Sequence, residues 1–225
     1  MLSVRLAGQE AWLHPSGALA LPAQRLLLVA DAHFGKAVSF RRLGVPVPRG
    51  TTMGTLEKID AALADTGAAE VVFLGDFLHS ARSHAPGTLL ALAQWRAAHA
   101  DLGLTLVRGN HDDRAGDPPA ELGFRVVDEP LRLGPFALCH HPRPVSGAYV
   151  LAGHWHPCAQ VAGRAHERLR LPCFWLAADH DLVAEAAVGV LPAFGHFTGM
   201  HPIARRPGDR VCVIAGDVVR ELPAT

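Results

Sequence analysis

Five short polar motifs each close an apolar run. Asp31-Ala32-His33 follows residues 25–30, and Gly75-Asp76 follows 71–74. Gly109-Asn110-His111-Asp112 follows residues 104–107, Cys139-His140-His141 ends the run that starts at Phe136, and Gly153-His154-Trp155-His156 follows 149–152. Such short runs, rich in Leu and Val and bounded by Gly or Asp, predict buried strands. In an open α/β sheet, ligands bind at the carboxyl ends of the strands. The chain must therefore fold so that these polar tips can meet on one rim.

The segments between the runs complete the outline. Residues 52–65 predict an amphipathic helix with Met53, Leu56, Ile59, Ala62 and Leu63 on one face, capped by Thr51 or Thr52. Residues 86–100 predict a second helix, opened by Pro86 in its first turn. Strand and helix alternate, which implies a largely parallel sheet. Beyond Glu121 short strands follow one another, separated by Gly and Pro, through 211–214 and 218–219. These predict a second, more antiparallel sheet. The expected fold is α/β, with two face-to-face mixed β-sheets flanked by helices. With 225 residues, 49% of them apolar, the chain is expected to form one domain over 1–225.

The motifs carry two carboxylates, an amide oxygen and several imidazoles. Asp31 and His33 are two residues apart at a strand end, so both should point to one face and reach one ion. Gly75 lets the backbone come close to the site beside Asp76, whose carboxylate has two oxygens and can bridge two ions. Asn110 offers a neutral oxygen, and Gly109 relieves crowding there. His154 and His156 can each serve one of two adjacent ions. Paired ions about 3.5–4 Å apart clamp the attacking and leaving oxygens of a phosphate ester. A mixed His/Asp/Asn set suits Mn, Fe, Zn or Ni. The chain has 14 histidines, many of them in these motifs. Cys139, Cys158, Cys173 and Cys212 form no CxxC pair, which argues against a zinc finger or redox motif. Cys158 alone follows a metal motif closely. Lys+Arg and Asp+Glu are both 21, so there is no bulk positive charge of the kind a constitutive nucleic-acid coat carries. No basic stretch precedes a long apolar run at the N-terminus, and no run could span a bilayer. A cytoplasmic protein without membrane partners is expected.

In order, the motifs resemble the signature of the calcineurin-like metallophosphoesterase superfamily: DxH, GDxxD, GNH(D/E), H, GHxH. One position departs, since His79 stands where the family has the last Asp of the second motif. The resemblance implies that Asp31, His33, Asp76 and His156 hold one metal. It gives Asp76, Asn110, His140 and His154 the other, with Asp76 bridging and with His140 preferred to His141 by motif alignment. It makes His111 a general acid that contacts the phosphate, with Asp112 orienting its ring.

Two further stretches, Phe34-Gly35-Lys36 through Arg49-Gly50 and Leu191-Pro192 through Gly199, extend the likeness over most of the chain. They resemble the bacterial DNA-ligase-associated metallophosphoesterases. That resemblance implies a manganese-dependent endonuclease acting on single-stranded DNA in repair. It also implies a DNA ligase, a helicase and an exonuclease as partners. His196 departs from the small residue expected in the last loop.

Lys36, Arg41, Arg42 and Arg49 fall in one segment and could track phosphates at the mouth of the site, or simply form a solvated loop. Phe34, Phe40 and Trp155 offer faces for bases, although ordinary packing explains them as well. Arg108, His79 and His141 are further candidates for substrate contact. The same core would also serve a small-molecule phosphatase or a cyclic-nucleotide phosphodiesterase. A non-catalytic, metal-stabilised repair subunit is a third reading, opposed by the presence of both His111 and Asp112.

Overall fold

The computed structural model describes residues 1–47, 50–162, 168–177 and 187–223. Seven strands form the first sheet, side by side in chain order: β1 (Leu2–Leu6), β2 (Gln9–Leu13), β3 (Leu19–Leu21), β4 (Leu26–Val29), β5 (Glu70–Leu74), β6 (Gly103–Val107) and β7 (Arg125–Val127). The strands β4 to β7 run parallel, joined by helical crossovers. The antiparallel β1–β3 were not expected from the apolar runs. Their signal is period-two burial instead, with Val4, Leu6, Ala11 and Leu13 turned inward. The β1–β2 hairpin turns at Ala7 and Gly8, both at positive φ (48° and 73°).

Four helices accompany this sheet: α1 (Lys36–Arg42), α2 (Thr51–Thr66), α3 (Pro86–Ala98) and α4 (Asp112–Ala115). The buried stripe of α2 is Thr55, Leu56, Ile59 and Ala62. At about 100° per residue, a stripe centred on those four leaves Met53 facing away, and it is exposed rather than on the core face. Neither threonine caps the helix. Its N-cap is Gly50, in the left-handed conformation, with no side-chain cap.

The second sheet holds β8 (Leu131–Leu133), β9 (Phe136–Leu138), β10 (Tyr149–Ala152), β11 (Pro157–Ala162), β12 (Arg168–Leu176), β13 (Val188–Val190), β14 (His201–Pro202), β15 (Arg210–Ala215) and β16 (Val218–Glu221). Its order is β14-β11-β12-β13-β10-β9-β8, with β15 on β12 and β16 on β15. Three of its pairings, β9–β10, β10–β13 and β11–β14, are parallel, so it is mixed.

The sheets pack face to face. Leu19, Leu28 and Leu74 of the first meet Leu138, Leu151 and Phe174 of the second in one cluster. The other face of the first sheet, with Leu27, Val71 and Phe73, is covered by Leu56, Ile59 and Leu92 of α2 and α3. Burying each such side chain is worth about 1.5–3 kcal/mol. All four cysteines are buried and free, Cys158 among them. Burial pushes the Cys173 thiol up to about 12 and that of Cys212 to about 11, so these are packing residues.

Candidate metal centre

The rim where β4, β5, β6, β9 and β10 end is stitched by backbone bonds between loops. His33 N–H donates to Asp76 O (2.9 Å) and Phe34 N–H to Phe77 O (2.8 Å), which zips the first two motifs together. Gly153 N–H donates to His140 O (3.2 Å) within the second sheet. His154 N–H then donates to Asp31 Oδ2 (2.8 Å), across from one sheet to the other.

Asp31 and His33 do meet, but not by strand alternation. Both have left the strand, and both take positive φ (53° and 46°). Among the described residues, the non-glycines at positive φ are Ala7, Arg25, Asp31, His33, Asp76, His154 and His156. The last five are all candidate ligands. Such backbone costs of order 1–3 kcal/mol per residue and gathers at functional sites. Two glycines make the approach possible. A Cβ on Gly75 would lie 2.3 Å from His140 Nδ1, and one on Gly109 would lie 2.5 Å from Asp76 Oδ1.

Among the described residues, two of the four groups of ligand atoms within 4.8 Å of one another are Asp31, His33 and His156, and His140, His141 and His154; Asp31, Asp76 and His140 form another that joins them. His154 and His156 thus fall in different groups. Asp76 lies between them. Its Oδ1 is 3.5 Å from His140 Nε2, and its Oδ2 is 3.8 Å from His33 Nε2. Asn110 Oδ1 is 2.9 Å from His140 Nε2.

Two of the rings turn a proton away from the centre, onto backbone carbonyls. His140 Nδ1–H donates to Leu74 O (3.0 Å), so its Nε2 presents a lone pair to Asn110 Oδ1 and, at 3.0 Å, to His154 Nδ1. His156 Nδ1–H donates to Gly199 O (3.1 Å), which leaves its Nε2 facing Asp31 Oδ1 at 3.4 Å. Asp31 Oδ1 and His33 Nδ1 are buried without a hydrogen-bond partner. Converging lone pairs and an orphaned carboxylate oxygen are costly in a dry interior. They fit a bound cation. Burial also holds His33 well below the usual imidazole range and lowers His154, with neighbouring imidazoles adding to the effect in both. Neutral imidazole is the form that binds metal.

Of the neighbouring pair, His140 is fully buried and faces Asp76, whereas His141 Nδ1 bonds Glu129 Oε1 (2.8 Å). Sequence reasoning missed Glu129. Its carboxylate accepts the backbone N–H groups of His140 (2.8 Å) and His141 (2.9 Å) and clamps that turn. Burial opposes its charge, but the His141 and Arg143 bonds win and hold it down to about 2. No motif spacing marks a residue so distant from its partners.

His111 and Asp112 are not a ring and its orienter. His111 Nδ1–H donates to the carbonyl of His79 (2.6 Å), and the two rings stack at 4.9 Å. Asp112 is buried and accepts from Gly109 N–H (3.0 Å) and Leu78 N–H (3.2 Å), tying two motif loops together. The orienting role therefore passes to the His79 backbone. Burial raises Asp112 to about 6, against its backbone bonds.

The remaining candidates separate. Lys36 begins α1, half-buried, and the charges of Asp31 and Asp76 reach its ammonium while burial lowers its pKa. His79 closes the remaining group with His33 and His111, and burial lowers it to about 4. Arg41 lies exposed on α1. Arg49 lies outside the described residues, as does Arg49's neighbour Pro48. Arg108 is held by Asp117 in a bidentate pair (2.9 and 2.8 Å) and by Asp128 (2.9 Å), so its guanidinium is taken up by carboxylates rather than offered to a substrate. Phe34 is buried against Phe77 and is core. Among the described residues no helix is long and apolar enough to cross a membrane.

No family model matches the chain, and no curated protein does. Among solved structures it is similar to the crystal structure of the nuclease MPE of Pseudomonas putida. The two are 42% identical over 98% of this chain and 99% of that one, with a TM-score of 0.84. A phosphoesterase from E. coli, Yfce, is 16% identical over 86% of this chain and 90% of that one, with a TM-score of 0.41.

Proposed function

Because the chain belongs to the calcineurin-like metallophosphoesterase superfamily, in the family of the nuclease MPE of Pseudomonas putida, we propose that it is a metal-dependent phosphodiesterase that cuts single-stranded DNA in repair. The observation that carries this reading is the pair of donor groups on either side of Asp76, with imidazole nitrogens, Asn110 Oδ1 and the unpartnered Asp31 Oδ1 gathered there. Asp31, His33, Asp76 and His156 would hold one divalent cation. Asp76, Asn110, His140 and His154 would hold the other, with Mn2+ the expected ion at both. When bound, the pair supplies an activated water and offsets charge on the phosphate.

The chain's own groups do the rest. His111 keeps its Nδ1 proton on the His79 carbonyl, so its Nε2 is the atom that faces the reaction. Protonated there, it donates to the leaving oxygen as general acid. The His79 ring stacked beside it limits how far the imidazole can turn. Lys36 places a positive charge at the entrance, where it attracts a phosphodiester. The nuclease named among the similar structures supports nucleic acid as the substrate. A ligase, helicase and exonuclease as working partners are part of the same proposal, as is a cytoplasmic location.

The test is purified protein with a panel of divalent metals, offered closed-circular single strands, duplex DNA, a mononucleotide and a generic diester. Metal-dependent nicking of the circular single strand is the expected result. Turnover of the mononucleotide or a cyclic nucleotide in preference to the strand would replace this reading with that of a small-molecule phosphatase or phosphodiesterase. Absence of turnover on every substrate would leave the metal-stabilised subunit.

A further inference from the structure

Beside the two donor groups lies a groove of about 550 Å³ lined by His154, Trp155, Trp175, Ile203, Arg205 and Arg206, among others. The motif Gly153-His154-Trp155-His156 divides its work between the two places. Its imidazoles turn to the donor groups, and its indole turns into the groove. Trp155 is 43% exposed, unusual for the bulkiest apolar side chain. It stacks on Trp175 with ring centroids 5.4 Å apart and planes 26° from parallel. Trp175 is fixed from behind, since its Nε1–H donates to Asp209 Oδ2 (2.7 Å). The same Asp209 oxygen accepts the backbone N–H of Arg206 (2.8 Å), so one carboxylate sets both the aromatic floor and the basic wall. Arg205 is wrapped by the carbonyls of Asp209, Leu222 and Pro223, which orient its guanidinium without neutralising it. Among the described residues no carboxylate pairs with the Arg206 guanidinium. The far wall joins the site directly, because His201 N–H donates to His156 O (2.9 Å).

We infer that this groove seats the single strand next to the scissile phosphate, with one base stacked on Trp155 and the adjoining backbone phosphates on Arg205 and Arg206. The inference rests on the nuclease reading above and adds where the strand runs. A pair of stacked indoles, one of them held from behind by Asp209, presents a face that any base can use, whereas a duplex hides its base faces. Paired with uncompensated guanidinium charge, that is the chemistry of sequence-tolerant single-strand binding. It also accounts for a chain without bulk positive charge acting on DNA. The charge it needs is concentrated at one wall.

The test uses the full chain with Mn2+ and oligodeoxythymidylates of increasing length. In the wild type, tryptophan fluorescence is quenched on binding, and the strand is cleaved. Trp155→Ala weakens strand binding about 10- to 100-fold and abolishes most of the quench, while Trp155→Phe restores binding to within about 3-fold. Arg206→Glu, at an exposed side chain that folding does not need, weakens binding and flattens its salt dependence. Should Trp155→Ala fail to fold, Arg206→Glu decides alone. Unchanged strand binding in these variants, with wild-type cleavage intact, overturns the groove and leaves the nuclease reading standing. A wild type that turns over a small diester but neither binds nor cuts the strand removes the nuclease reading and the groove with it.

Discussion

Single atoms at this rim decide what each residue can do. His111 touches no other candidate ligand through its Nδ1, which is fixed on His79 O. His111→Ala should therefore keep both metals by elemental analysis and lose turnover by about 10²–10⁴-fold; lost metal would contradict the acid role. Asp76 presents one oxygen toward each donor group. Asp76→Ala should empty at least one site, and full occupancy would refute bridging. A third residue is legible only in the structure. Lys58 lies under the ring of Phe194 (4.3 Å to its centroid) and donates to the Phe194 carbonyl (2.7 Å). Burial lowers its pKa to about 8. Between pH 8 and 10.5 the unfolded chain then binds more protons than the native one, so this residue makes stability rise with pH across that window. Denaturant unfolding of the wild type and Lys58→Met at pH 7.5 and 10 should differ in that increment, on the order of 1–3 kcal/mol; equal pH dependence in both would refute it.

At the scale of elements, the motif-bearing strand ends were legible because a buried parallel strand is an apolar run that stops abruptly at a polar residue. The β4, β5 and β6 runs and both long helices follow from that signal and from helical periodicity. The half-exposed hairpin of β1 and β2 did not, because its apolar residues alternate and no run marks it. What the spacing could not convey is how the ligands converge. A two-residue interval reads as strand alternation, yet Asp31, His33, His154 and His156 take left-handed backbone instead, a choice imposed by tertiary contacts. The partner of His111 was misjudged for a related reason. Asp112 is its neighbour in sequence, but the helical turn of α4 carries that carboxylate under the loop, and a backbone carbonyl 32 residues away takes its place. Gly75 belongs to this scale too. At φ 76° and 2.3 Å from His140 Nδ1 for any Cβ, Gly75→Ala should cost about 2–4 kcal/mol, seen as a lower Tm together with lost metal. A variant of normal stability and metal content would show that the loop yields more easily than its contacts indicate.

For the molecule as a whole, the site is a joint between two sheets. Donor atoms from both meet around Asp31 and Asp76. Metal at 100 times its dissociation constant should add about 2.7 kcal/mol per site. Chelation is thus expected to lower Tm by roughly 5–10 °C for one site of that strength in a chain of this size. Calorimetry with and without chelator measures it, and an unchanged Tm after complete stripping would mean that the native chain does not bind the cations at this strength.

The bond from His154 N–H to Asp31 Oδ2 has a further consequence for the cell. The first sheet emerges from the ribosome well before the residues that complete its rim, so a half-made chain holds no working blade. A copy that stops before His154 and His156 lacks half the donor set, and so is disarmed by the same geometry that arms the finished one.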